Sequence, residues 1–244
     1  HDQLNLPEGN ILHANERQMI ILGVNILHFL MEAKGDPQDQ LRLIVQGAGG
    51  TGKTFVIANL TRICRRLFSR NASTLNLAPT GPASNLIPDG RIVHRILPPS
   101  RSKKEVEKDK YDYQLSDYEM SRKLAKRLRA ITGTVNDGIK LKMVNMDERS
   151  MYGQPLIAFA SHRLCQAVLD MTPLFGGVPV VNFFGDISQL GPVGASGPHN
   201  NPGADSSSIT KKGFAIYRSF DHAIVLNESM RQQSNQKELK ERLE

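Results

Sequence analysis

Eight consecutive residues, Gly47-Ala48-Gly49-Gly50-Thr51-Gly52-Lys53-Thr54, satisfy every fixed position of the phosphate-loop pattern G-x-x-x-x-G-K-[ST]. The glycines let the backbone curl until its N–H groups converge on an anion. Lys53 brings a positive charge for the β- and γ-phosphates, and the Thr54 hydroxyl is placed to ligate Mg²⁺. A helix beginning at the loop adds its partial positive charge. These residues predict a site for a nucleoside triphosphate held with Mg²⁺. Three further segments supply what hydrolysis needs. Met143-Val144-Asn145-Met146-Asp147-Glu148 reads as a strand ending in two carboxylates. Asp147 would hold the Mg²⁺ shell and Glu148 would polarise the attacking water as general base; alone, the pair is also an ordinary acidic turn. In Gly185-Asp186-Ile187-Ser188-Gln189-Leu190, Gln189 could hydrogen-bond the γ-phosphate or the water and report its loss. In Asn227-Glu228-Ser229-Met230-Arg231-Gln232, Arg231 could act as an arginine finger.

The surrounding sequence places these residues at strand ends. Leu41–Val45 reads as a buried strand before the loop, and Val56, Leu60, Ile63, Cys64 and Leu67 mark one face of the helix after it. Upstream, Asn15 and Gln18 form a capping-box-like pair, Ile20, Val24, Leu27 and Met31 follow at helical spacing, and Gly35-Asp36-Pro37 ends that helix. Strands are predicted at Thr74–Ala78, Lys142–Met146, Val178–Phe184 and Ala223–Leu226. This alternation predicts an α/β fold, a doubly wound parallel sheet with helices on both faces. Asn145 interrupts an otherwise apolar strand and needs a hydrogen-bond partner. Two stretches break the rhythm: a charged helical insert over 98–142, with an amphipathic run around Leu115, Leu124, Leu128 and Ile131, and a Gly/Ser/Pro/Asn-rich loop over 195–213. The insert is a solvated helix on the domain or a nucleic-acid contact.

The chain has 244 residues, net charge +7 and pI near 9.5, which suits a polyanionic partner. The two cysteines, Cys64 and Cys165, read as buried thiols of a reducing compartment. No apolar run approaches transmembrane length and the start does not read as a signal peptide, so a soluble intracellular protein without a membrane partner is expected. The first residue is His1, which reads as a piece of a longer chain.

The motifs in order resemble the Pif-type (petite integration frequency) family of superfamily 1B DNA helicases, particularly the variants of Helitron transposons. The phosphate loop is similar to that family's first motif. Ala78-Pro79-Thr80-Gly81-Pro82-Ala83-Ser84 resembles its A-P-T-G-x-A-A segment, and Gly90-Arg91-Ile92-Val93-His94 its G-x-T-I-H segment. Asp147-Glu148-Arg149-Ser150-Met151 is similar to D-E-x-S-M, Gly185–Val193 to G-D-x-x-Q-L-P-P-V, and Leu226–Gln232 to L-x-x-x-x-R-Q. Asn15-Glu16-Arg17-Gln18 resembles the N-terminal motif whose glutamine reads adenine. The likeness spans about residues 12–235.

The resemblance implies a RecA-like P-loop NTPase lobe over 15–225, an irregular segment over 1–14, and the start of a truncated second lobe over 226–244. The few residues after Arg231 fall short of the roughly 100 such a lobe needs. It implies ATP and Mg²⁺ as cofactors. Gln18 would contact adenine, and Pro79, Thr80 and His94 would touch single-stranded DNA on the sheet face away from the nucleotide. The partners it implies are single-stranded DNA, fork or G-quadruplex DNA, and the parent's second lobe. The setting would be nuclear or mitochondrial, and the work 5′→3′ unwinding in repair, recombination, telomere maintenance or transposition. The departures are Arg149, where the family has an uncharged or variable residue, together with Asn145, Gly191 and Ser84. Two other readings stay open: a non-catalytic nucleic-acid-binding remnant of a mobile element, and another P-loop ATPase such as a recombinase or kinase.

Overall fold

The computed structural model of the chain describes residues 13–69, 71–97, 126, 130, 141–168 and 172–229. Helix α1 (Glu16–Lys34) leads into β1 (Leu41–Gly47), α2 (Lys53–Leu67), β2 (Thr74–Ala78), α3 (Gly81–Leu86), β3 (Arg91–Ile92) and α4 (Val93–Ile96). Strand β4 (Met143–Met146), α5 (Gln154–Val168), β5 (Val180–Gly185), α6 (Ser208–Arg218) and β6 (His222–Leu226) complete the order. The six strands form one sheet in the order β3-β2-β4-β5-β1-β6, every pair parallel. Parallel strands end on the same edge, so the segments after β1, β2, β4 and β5 converge there.

Side chains alternate across the strands and build two cores. Leu75, Leu77, Val144, Met146, Val181 and Phe183 face α5 and α6. Leu43, Val45, Met143, Val180 and Phe184 face α1 and α2. On this second face the expected apolar run is broken in three adjacent strands at the same level, because Asn76 pairs in register with Asn145 and Asn145 with Asn182. The amides join in a chain. Asn182 Nδ2 donates to Asn145 Oδ1 (2.9 Å) and Asn25 Oδ1 (2.8 Å), and Asn145 Nδ2 donates to Asn76 Oδ1 (2.9 Å). Asn76 Nδ2 donates to Thr61 Oγ1 (3.0 Å) and to the Pro88 carbonyl (2.7 Å). Asn145 thus finds partners on both sides, and the ladder reaches α1 through Asn25 and α2 through Thr61.

The Asn15–Gln18 capping box forms in both directions and Gly35 closes α1 in the left-handed conformation. The face of α1 differs from expectation. Ile21, Leu22, Asn25 and Phe29 are buried, whereas Ile20 and Leu27 are 42% and 57% exposed. The helix is apolar nearly all round, so spacing alone leaves its rotation open; the Asn25 hydrogen bond and Phe29 packing decide it. The stretch 195–213 is not all loop, because Ser207 caps α6 through its hydroxyl and Ile209 and Gly213 are buried. Leu226 ends β6 inside this sheet and so belongs to this lobe. Cys64 and Cys165 are buried free thiols. Leu115, Leu124, Leu128 and Ile131 and nearly all of the 98–142 insert lie outside the described residues, as do residues 1–12 and 230–244. Among the described residues no helix is long and apolar enough to cross a membrane.

Replacing Asn145 by Ala removes one interior hydrogen bond from Asn76 and one from Asn182, which keep their bonds to Thr61 and Pro88 and to Asn25. Each lost hydrogen bond costs about 0.5–1.5 kcal/mol, so thermal unfolding of Asn145→Ala should shift down by about 2–12 °C. An unchanged Tm would show that the ladder carries no stability.

Candidate functional site

The phosphate loop leaves β1 at Gly47 and turns through Gly50 and Gly52, at φ 87° and 83°. Those angles need residues without a side chain, and Gly52 immediately precedes the first residue of α2. Thr51 Oγ1 donates to the Ala48 carbonyl (2.9 Å). Lys53 arches over the loop, with Nζ donating to the carbonyls of Gly47 (2.8 Å) and Ala48 (3.1 Å). Thr54 is half-buried in the first turn of α2. Gly49 is exposed on the loop.

Gln18 lies buried against the loop. Its Nε2 donates to the Thr51 carbonyl (3.0 Å) and its Oε1 accepts from the Asn15 N–H (3.1 Å). Both ends of the amide that would read adenine are engaged inside the protein, tying the start of α1 to the phosphate loop. Asn15 Nδ2 donates to Glu228 Oε2 (3.1 Å), so the N-terminal motif meets the segment that leads towards Arg231. Arg231 itself lies outside the described residues.

Strand β4 delivers Asp147 to the same edge, its N–H bonded to the Leu77 carbonyl (2.8 Å). Asp147 is 6% exposed, and its Oδ1 is buried without a hydrogen-bond partner. Burial pushes its carboxyl from 3.8 up to about 6, and the Glu148 charge pushes the same way, against the Glu148 N–H and the Lys53 ammonium. Glu148 is half-buried and stands in the left-handed region, φ 56° and ψ 52°. For a residue with a side chain this costs about 1–3 kcal/mol and persists only where neighbours impose it. One such neighbour is Gly185, where a Cβ would sit 2.4 Å from the Arg149 nitrogen. Behind the pair, Tyr152 is fully buried with its hydroxyl unpartnered, packed edge-on against Phe183 at 5.0 Å. Burial, then the charges of Asp147 and Glu148, hold that phenol well above its usual range.

Strand β5 ends at Gly185, and Asp186 begins a turn in which the Gln189 N–H bonds to the Asp186 carbonyl (3.2 Å). The Asp186 carboxylate accepts from the Ser188 N–H, which chiefly lowers its pKa. The Gln189 side chain is exposed. The Lys53 charge acts on both Asp147 and Asp186, so the three strand ends meet around one lysine.

An all-oxygen donor set of a carboxylate and a hydroxyl suits Mg²⁺. Asp147 fits that role, because a buried carboxylate oxygen with no hydrogen-bond partner is stabilised by a cation. Thr54, in the first turn of α2, would supply the hydroxyl. The ion would neutralise phosphate charge there.

On the α5 side of the sheet, Pro79, Thr80 and His94 line one open cleft of about 350 Å³. The Thr80 hydroxyl caps α3, accepting from the Ala83 N–H (3.3 Å). Met151, Phe159, Pro192 and Val193 complete the walls. The motif order contained Met151, Pro192 and Val193 without marking them as lining; Met151 and Pro192 are half-buried and Val193 is 98% exposed. Gln154 secures the neighbouring loop, its N–H bonding to the Ser196 carbonyl (3.2 Å) and its Nε2 to that of Gly197 (3.1 Å).

The sheet, the phosphate loop and the carboxylate pair define a RecA-like P-loop NTPase fold. The family model for PIF1-like helicases matches residues 25–244, and the chain belongs to that family. Among solved structures it is similar to the Pif1 helicase from Candida albicans, at TM-score 0.60 and 20% identity over 93% of this chain and 42% of that one. It is also similar to a Bacteroides Pif1 helicase in complex with ADP-AlF3 and single-stranded DNA (TM-score 0.50, 21% identity, 88% and 42% covered). The unliganded Bacteroides protein gives TM-score 0.50 at 18% identity, with 88% and 42% covered. The chain spans less than half the length of these structures. No curated protein matches it in sequence.

Asp147 also sets a pH dependence. A carboxyl whose pKa is raised in the folded state binds its proton more tightly there. Folding is therefore favoured below about pH 4, and that contribution is lost as pH climbs towards about 6. In chelator, Asp147→Asn should raise stability at pH 7.5 by about 1–3 kcal/mol, with the gain vanishing near pH 4. A variant less stable than wild type at pH 7.5 would mean that Asp147 is paired in the fold.

Proposed function

We propose that this chain is the ATP-binding motor lobe of a DNA helicase. It would couple ATP hydrolysis to movement along single-stranded DNA, 5′→3′ as the resemblance implies, and to duplex unwinding. One observation carries this reading: a phosphate loop and carboxylate pair share a sheet edge with a separate cleft lined by Pro79, Thr80 and His94. A nucleotide site and a strand site on opposite faces of one sheet give each ligand a route to influence the other. Lys53 and Thr54 would hold phosphate and Mg²⁺, and Asp147 the Mg²⁺ shell. Glu148 would accept the proton of the attacking water, and Gln189 and Arg231 would attend the γ-phosphate. Closing the site around the triphosphate is the work of a second lobe. DNA repair, recombination, telomere maintenance or transposition would be the setting, fork or G-quadruplex DNA the substrates, and the nucleus the compartment.

Asn145 and Arg149 are two of the departures that favour the remnant reading. Asn145 is held on both sides in the ladder and Arg149 is bonded to Gln46, so both positions are built into the fold.

In the longest natural form, Lys53→Ala should abolish DNA-stimulated ATP hydrolysis. Glu148→Gln should lower kcat by about 10²–10⁴-fold, the usual worth of a general base, while ATP binding stays within a few-fold. Wild-type turnover by Glu148→Gln would remove Glu148 from that role. Residues 1–244 alone should bind nucleotide with little turnover and no unwinding, and strand separation by this chain alone would contradict the two-lobe account.

A further inference from the structure

The residue just before the phosphate loop, Gln46, belongs to no motif, yet its amide joins two of them. Its Oε1 accepts from Arg149 Nη2 and from the Ile187 N–H (3.3 Å), and its Nε2 donates to Asp186 Oδ1 (3.0 Å). The register explains the reach, since Gln46 pairs with Gly185 at the end of β5. The amide can point only one way. Turned over, its NH₂ would face a guanidinium and an N–H, and its oxygen would face a carboxylate.

Arg149 is 4% exposed and directly follows Glu148. Its backbone is pressed against Gly185, with no room for a Cβ between them. Among the described residues its guanidinium makes a hydrogen bond to Gln46, with Nε buried unpartnered and the Asp186 charge acting on the group. At the other end, Asp186 Oδ1 also accepts from the Ser188 N–H (3.0 Å), and the Asp186 carbonyl accepts from the Gln189 N–H. One amide therefore stands between the segment carrying Glu148 and the turn carrying Gln189.

We infer that Gln46 is a positioning residue: gripped by Arg149, it holds the Asp186–Gln189 turn at the phosphate loop, so that the general base and the γ-phosphate sensor keep one relative placement. This rests on the proposed ATPase reading. Neither Gln46 nor Arg149 belongs to the phosphate loop or the carboxylate pair, and their hydrogen bonds run to each other and to the Asp186–Ile187 turn. Their loss should slow turnover without weakening ATP binding.

The test uses the longest natural form and a double-mutant cycle. Q46L and R149M should each lower kcat for DNA-stimulated hydrolysis by about tenfold with the KM for ATP within about twofold, and the double variant should be no slower than the worse single one. Q46E keeps the acceptor for Arg149 but sets a carboxylate against Asp186. It should be slow, and adding D186N should restore most of the rate by returning a donor–acceptor pair to that contact. Additive losses, a change confined to KM, or no rescue by D186N would overturn the inference. If wild type hydrolyses no ATP, the helicase reading fails and amide exchange on residues 1–244 decides this inference separately. In Q46L the Ile187 and Ser188 amides should then exchange at least tenfold faster while β1 and β4 stay protected; unchanged exchange at those two amides would refute the bridge.

Discussion

Three buried asparagines set the frame for everything else in this lobe. A parallel strand surrounded by apolar side chains has little to fix its register beyond volume, and a slip of one residue turns every side chain to the other face. The Asn76–Asn145–Asn182 ladder removes that freedom, because a slip would leave amides unpaired in the interior. The ladder lies one residue before Met146 and three before Gly185, the last residues of β4 and β5. It therefore fixes where those strands stop, and with them the positions of Asp147 and Asp186. Through Asn25 and Thr61 it also sets the rotation of the two helices on that face.

The sheet edge built in this way concentrates charge at the limit of solvent. Asp147 is nearly sealed, Glu148 is held in an uncommon backbone conformation and Arg149 is buried behind them, while Lys53 lies near enough to act on both aspartates. A buried carboxylate with an unpartnered oxygen is costly unless a cation meets it. The carboxylate that makes the fold less stable at neutral pH is thus also the one suited to hold a metal–phosphate group. The glycine at the end of β5 permits the close approach of the Arg149 backbone on which the arrangement depends.

Much of this was legible in the residues. The phosphate loop, the carboxylate pair and the Asn15–Gln18 cap are each built from residues a few positions apart, and local patterns record local geometry. Five of the six strands show as apolar runs within one or two residues of their limits, and the two-residue β3 (Arg91–Ile92) has no such run. What escaped reading depends on contacts between distant segments. The rotation of α1 is set by Asn25 and Phe29 on a helix apolar all round. The start of α6 is set by the Ser207 cap inside a stretch whose composition reads as loop. Asn145 was visible as an irregularity, but its partners sit 69 and 37 residues away. Gln46 lies outside every motif and is explained only by the register of β1 against β5. The adenine-reading role of Gln18 comes from the resemblance alone; the structure adds its bonds to the Asn15 N–H and the Thr51 carbonyl.

The proposed function places two sites on one sheet edge, the phosphate loop on the α2 side for a triphosphate and the cleft on the α5 side for a single strand. If that edge couples them, each ligand must change the affinity of the other by the same factor. The direct measurement is the affinity of the longest natural form for an unstructured oligonucleotide, with and without a magnesium-bound, non-hydrolysable ATP analogue. The account predicts a shift of roughly 5–150-fold, the usual range of such coupling, that disappears when Lys53 is replaced by Ala. Equal affinity in both conditions, or a shift that survives loss of Lys53, would contradict it.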